Sequence, residues 1–145
     1  MTVRTVLSTK GESGVVTIAP DASVRDAAAL LSEKRIGTVV ASSDGRTCEG
    51  ILSERDIVRE LGARGAGVLD ETVGAIMTRE IQTCARSDSA KSVLERMTEG
   101  RFRHMPVVEG GEMVGLVSLG DIVKDRLTEV RAERDALTDM VMGHG

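Results

Sequence analysis

Two stretches of the chain set a serine and an aspartate at the same spacing in the same apolar setting. They are Ser53-x-x-Asp56 in GILSERDIV (50–58) and Ser118-x-x-Asp121 in GLVSLGDIV (115–123). In each, an apolar run of strand length gives way to a helical pattern, so the pair occupies a strand-to-helix corner. One chemistry for such a pair is structural: the serine caps the helix and the aspartate adds negative charge near the positive helix end. Another is binding. Unpaired backbone N–H groups at the corner receive polar ligand groups, and the carboxylate accepts two hydrogen bonds from the vicinal hydroxyls of a ribose. Because a carboxylate repels phosphate, a nucleotide would need a cation from elsewhere. The two copies supply cations unequally: Arg55 in the first stands opposite Gly120, while Arg103 and His104 in the second stand opposite Gly37 and Thr38. Two similar but non-identical sites are expected.

Other chemistries find less support. Cys84 and His104 are the residues from which a nucleophile and its base could be assembled, but no third orienting group is evident, and no enzyme is expected. Cys48 and Cys84 are too few for a disulfide framework and lack metal-ligand spacing, so no metal is expected. A net charge of −4 argues against nucleic acid or an anionic membrane as the main partner. The first residues lack the apolar run of roughly 7–15 that marks a secretory signal, and no stretch approaches the ~18 apolar residues of a membrane span. A cytoplasmic location is the expectation. Phe102 is the sole aromatic residue, so the core is expected to consist of Val, Ile, Leu, Ala and Met.

The echo extends backwards from the corners. RIGTVVA (35–41) lies over RFRHMPV (101–107), and SVRDAAALL (23–31) over SAKSVLERM (89–97). Each copy reads as a short extended run (15–18; 81–84), a helix, two strands joined by a Gly-containing turn (SSDG; EGGE), and a second helix. Helical spacing places Val24, Ala27, Ala28 and Leu31 on one face, and Ala90, Val93, Leu94 and Met97 on its counterpart. Ser23 and Asp26 mark the first helix start. The second helices run through Ile57, Val58 and Leu61, and through Ile122, Val123 and Leu127. The expected class is α/β (α+β), two β-α-β-β-α repeats packed sheet to sheet about a pseudo-twofold axis, since a unit of about 48 residues buries too little surface alone. The expected organisation is an N-terminal segment (1–14), the first repeat (15–61), a linker with a short helical turn (62–79), the second repeat (80–127) and a helical tail (128–145). On the tail, Leu127, Val130, Leu137 and Val141 form a stripe interrupted by Arg134. It either packs on its own domain or helps hold a homodimer.

Residues 15–127 resemble a tandem pair of CBS (cystathionine β-synthase) domains, the Bateman module. The resemblance is carried by PDASVRDAAALL, RIGTVVA and GILSERDIV, then by IMT, RFRHMPVV and GLVSLGDIV. It implies a stand-alone regulatory sensor that binds an adenosine ligand in clefts between the repeats and responds by a change in conformation or assembly. Mapped onto this chain, it implies that Asp56 and Asp121, with Ser53 and Ser118, hold ribose. It implies adenine contacts from Val16, Thr17, Ile18, Val39 and Val40 in one copy, and from Thr83, Cys84, Met105 and Pro106 in the other. Arg55, Arg103 and His104 are then the candidate phosphate contacts. The first copy's TVV lacks the proline of the second copy's MPV, a difference between the two adenine pockets. The two arginines favour a phosphorylated ligand, AMP, ADP, ATP or NAD(H), over S-adenosylmethionine. The expected partners are this nucleotide, a second copy of the chain and a regulated protein. The alternative is a scaffold for protein or single-stranded nucleic acid, drawing on the basic-aromatic group Arg101, Phe102, Arg103 and His104.

Overall fold

The computed structural model describes residues 1–10 and 14–142. Residues 11–13 of the expected N-terminal segment and 143–145 of the expected tail lie outside the described residues. The chain divides into two compact units. One holds residues 14–82 with 109–114, and the other holds the described N-terminus with 83–108 and 115–142.

In the first of these, β1 (Thr17–Ile18) leads to α2 (Val24–Lys34), β2 (Thr38–Ala41), β3 (Gly50–Ser53), α3 (Glu54–Arg64), a 3₁₀ turn (Ala66–Asp70) and α4 (Val73–Ile76). The Ser23 hydroxyl caps α2 by accepting from the Asp26 N–H at 3.0 Å. The helix ends at Arg35, which takes the left-handed conformation with φ 55°. β2 then runs parallel to β1 and antiparallel to β3, with Thr17 opposite Val40 and Thr38 opposite Ser53. The loop between β2 and β3 turns on Asp44, whose carboxylate accepts from the N–H groups of Thr47 and Arg46. Those bonds hold its carboxyl well below the usual range. The core joins Val24, Ala27 and Leu31 of α2 to Val39, Ala41, Leu52 and Ile57, and closes over Val73 and Met77. Alternate strand residues face opposite ways, so Val39 and Ala41 look onto the helices and Val40 looks away.

The second unit contains α1 (Val3–Lys10), α5 (Ala90–Gly100), β4 (His104–Glu109) up to residue 108, β5 (Glu112–Ser118) from residue 115, and α6 (Leu119–Val141). The expected strand at 81–84 is reduced to one parallel bridge, Cys84 to Val107. Several hydrogen bonds recur at corresponding positions of the two repeats. Ile18 opposite Ala41 corresponds to Cys84 opposite Val107. The Glu54 N–H donates to the Gly37 carbonyl at 2.8 Å, as the Leu119 N–H does to Arg103 at 2.7 Å. Arg35 and Arg101 are the two non-glycine residues with positive φ among the described residues. The buried positions match as well: Ala90, Val93, Met97, Met105, Val107, Val117 and Ile122 repeat the core pattern of the first unit.

The ends of the repeats depart from the sequence expectation. Residues 3–10, read as a plain N-terminal segment, form a helix, and that helix belongs to the unit of the second repeat. The Val3 and Arg4 N–H groups donate to the carbonyls of Asp88 and Arg86, and the Ala90 N–H donates to Met1. α4 makes the same three bonds with the first repeat, through Val73 to Ala22, Gly74 to Pro20, and Val24 to Glu71. Each repeat is thus completed by the short helix that precedes the other. This explains the glycine that opens each repeated motif. A Cβ on Gly50 would stand 2.6 Å from Met77 Sδ and 3.0 Å from the Thr78 carbonyl oxygen, and one on Gly115 would stand 2.7 Å from Leu7 Cδ2. Both glycines make room for the incoming helix.

A second departure concerns the last helices. Ile57 and Ile122 are buried as expected, but Val58, Val123 and Leu127 are 67%, 40% and 50% exposed. Val130, Leu137 and Val141 continue the exposed row along α6.

Candidate functional site

At the first corner, β3 ends at Ser53 and α3 begins at Glu54. Ser53 Oγ accepts from the Asp56 N–H at 3.2 Å, and Asp56 Oδ2 accepts from the Ser53 N–H and hydroxyl at 2.9 and 3.0 Å. Asp56 is nearly buried, and its Oδ1 receives Arg59 Nη2 at 2.9 Å from one turn further along α3. The second corner repeats this reciprocal box. Ser118 Oγ accepts from the Asp121 N–H, and Asp121 Oδ2 accepts from the Ser118 N–H, both at 3.0 Å. The capping chemistry expected of the pair is therefore present at both corners.

The cations differ. Asp121 Oδ2 is bonded at 2.9 Å by Lys10 Nζ from α1, and the same ammonium donates to the Leu116 carbonyl at 2.8 Å. Burial works against the charge of Asp121, but the bonds from Lys10 and the Ser118 backbone outweigh it and hold the carboxyl below its usual value. Burial, with Lys10 and Arg103 acting in the same direction and Asp121 opposing, lowers the pKa of the half-buried His104 imidazole. His104 is thus neutral at pH 7 and offers a hydrogen bond rather than a charge. Arg55 and Arg103 are exposed.

Around the first corner, Val16, Thr17 and Ile18 are partly exposed on and beside β1. Val40 is fully buried on the sheet face away from the helices. Val39 points into the helical core, so a ligand on the face of Val40 would meet only its backbone. Around the second, Met105 and Pro106 are buried and Thr83 is exposed, its carbonyl accepting from Arg96. Cys84 is locked to β4, its N–H donating to the Pro106 carbonyl and its own carbonyl accepting from Val108. Burial pushes the Cys84 thiol up to about 11, the reverse of what an activated nucleophile needs.

The structure also shows what the sequence reading missed. Arg59 lies three residues after Asp56, a spacing that marks it as a helical neighbour. Lys10 carries no such local signal, being 111 residues from Asp121. The half-buried Phe102 places its ring beside Gly100, at the end of α5. A groove of about 450 Å³ lies between the end of α2 and the start of α3, lined by Leu31, Ile36, Ile57 and Val58 with Arg35 and Glu54 among its polar residues. It shares no residue with the expected adenine contacts. Among the described residues there is no cluster of His, Cys, Asp and Glu fit to hold a metal, and no helix long and apolar enough to cross a membrane.

Known proteins share this fold. The mitochondrial CBS domain-containing protein CBSX3 of Arabidopsis thaliana is 30% identical over 149 residues, spanning 98% of this chain and 72% of that protein. A CBS-domain containing protein of Agrobacterium tumefaciens, 39% identical, matches in structure with a TM-score of 0.81 over 87% of this chain and 99% of its own. A CBS domain protein from Pyrobaculum aerophilum, solved in complex with AMP, is 27% identical and gives a TM-score of 0.73 over 83% and 89% of the two chains. The family model described as the CBS domain matches twice, over residues 3–63 and 73–127, with its starts at the first residues of α1 and α4. The chain belongs to the CBS domain family and carries two copies of the domain.

Proposed function

We propose that this protein is a regulatory sensor of adenine nucleotides, of the class AMP, ADP, ATP or NAD(H). Asp56 and Asp121 receive the ribose hydroxyls, Ser53 and Ser118 stand beside them, and strand backbone at Val16–Ile18 and Thr83–Cys84 borders the base. The observation that carries this reading is the corner itself, built twice with the same reciprocal hydrogen bonds and a carboxylate at each helix start. The relative solved with AMP supports the ligand class. Phosphate falls to the exposed Arg55 at the first corner and to Arg103 at the second, with His104 donating a neutral hydrogen bond.

The response to ligand is a change in conformation or assembly, relayed to a separate regulated protein. The exposed row on α6 supports a homodimer as the working form: Val123, Leu127, Val130, Leu137 and Val141, with Arg134, recur at alternating spacings of four and three. Two free cysteines fit a reducing, cytoplasmic setting.

The reading is tested by thermal denaturation of nucleotide-stripped protein with adenosine, AMP, ADP, ATP, NAD and NADH, using GMP as the control. A ligand at a hundredfold excess over its dissociation constant adds about 2.7 kcal/mol, a rise of several degrees. A rise with adenine ligands and none with GMP is expected. No rise with any adenine ligand contradicts the proposal.

A further inference from the structure

The cation on Asp121 comes from outside the repeated motif. Lys10 ends α1, and its ammonium is held by two acceptors, Asp121 Oδ2 at 2.9 Å and the Leu116 carbonyl at 2.8 Å. In the first unit the corresponding Asp56 is held instead by Arg59, from its own helix. Thr2 and Val3 correspond to Thr72 and Val73 by the bonds they make, but α4 ends at Ile76, short of the position from which Lys10 reaches out of α1. Nor does α6 provide an equivalent of Arg59, since Lys124 makes no ion pair among the described residues.

This contact bears on what the second corner can bind. Asp121 Oδ2 already accepts from the Ser118 N–H and from Lys10, which fills its two lone-pair directions. A ribose diol donating to both carboxylate oxygens must therefore move the ammonium aside. A neutral nucleoside would do so at a loss, leaving Lys10 with the Leu116 carbonyl alone. A nucleotide brings its own anion, and an ammonium released from a carboxylate finds an equivalent charge-assisted partner in a phosphate. The helix need not undock for this exchange. Val3 and Val6 are buried and anchor α1, while the four-carbon lysine stem swings freely.

We propose that Lys10 makes the second corner selective for phosphate-bearing nucleosides, guarding Asp121 until a ligand supplies an anion in exchange. The inference rests on Asp121 as the ribose acceptor, and the experiment separates the two. Adenosine and AMP are titrated calorimetrically into the Asp56→Asn protein, which weakens the first corner, and into the same protein carrying Lys10→Met, Lys10→Arg or Asp121→Asn. Thermal midpoints serve as the check on folding. Lys10→Met is expected to tighten adenosine binding by about fivefold, the worth of a partly exposed ion pair, and to shrink the advantage of AMP over adenosine by at least as much. Lys10→Arg is expected to keep that advantage. An unchanged ratio of AMP to adenosine affinity in Lys10→Met, or equal weakening of both, overturns the role of Lys10 while leaving the ribose reading intact if Asp121→Asn still weakens binding. Binding unaltered by Asp121→Asn removes the ribose reading and this inference together.

Discussion

At the scale of single residues, the two corners show how a helix cap and a cation contact share one side chain. The serine and aspartate satisfy each other's backbone, yet each carboxylate also holds a cation at 2.9 Å. The spacing S-x-x-D identifies the cap from sequence alone, because capping is a local matter of three residues. The cation on Asp121 is not local, and no periodicity could have named Lys10. The same cluster predicts a pH response. His104 is pushed below its ordinary value of 6.5, chiefly by burial, so the unfolded chain takes up a proton near that pH before the folded one does. Its contribution to stability is complete above pH 6.5 and is lost as the pH falls below it. Asp121, held below 3.8, adds a second loss in the same direction at more acid pH. The thermal midpoint is expected to fall between pH 7 and pH 5, and His104→Gln to flatten that slope; an identical slope in the variant would contradict the account.

At the scale of elements, most of the repeat was legible because its signals are short-range. Apolar spacing, Ser23 at a helix start and glycines in the turns identify α2, α5 and the strand pairs. The strand expected at 81–84 was not realised in full, since its residues make only one bridge to β4 where β1 makes two pairs with β2. The first residue of each G-x-x-S motif was also unexplained by local rules. Its reason is the approach of a helix distant in sequence, Met77 over Gly50 and Leu7 over Gly115. Gly50→Ala is expected to cost about 1–3 kcal/mol, the usual penalty for overpacking, because the Thr78 backbone cannot yield as a side chain can. Gly115→Ala meets only the flexible end of Leu7 and is expected to cost less. Chemical denaturation of both variants reads the difference, and equal, negligible losses would contradict this packing.

At the scale of the whole molecule, the sequence reading placed both repeats but read 1–14 as a plain segment and 62–79 as a linker with a short helix. α1 and α4 each complete the unit of the other repeat, a pairing announced only by the echo of Thr2-Val3 in Thr72-Val73. The apolar row on α6 was read from its spacing, and its exposure between 40% and 84% is what leaves it available to a second copy. Leu127→Glu with Leu137→Glu is expected to convert a dimer to a monomer by light scattering without lowering the monomer's helical content; an unchanged mass would exclude this face as the interface. The central claim remains that Asp56 and Asp121 bind the ribose of an adenine nucleotide. It is tested most directly by calorimetric titration of AMP into wild-type protein, Asp56→Asn and Asp121→Asn. Loss of a charge-assisted hydrogen-bond partner is worth roughly 1.5–3 kcal/mol, or about ten- to a hundredfold in affinity, so each substitution is expected to weaken its own site by that factor and spare the other. Wild-type affinity at both sites in both variants would contradict the account.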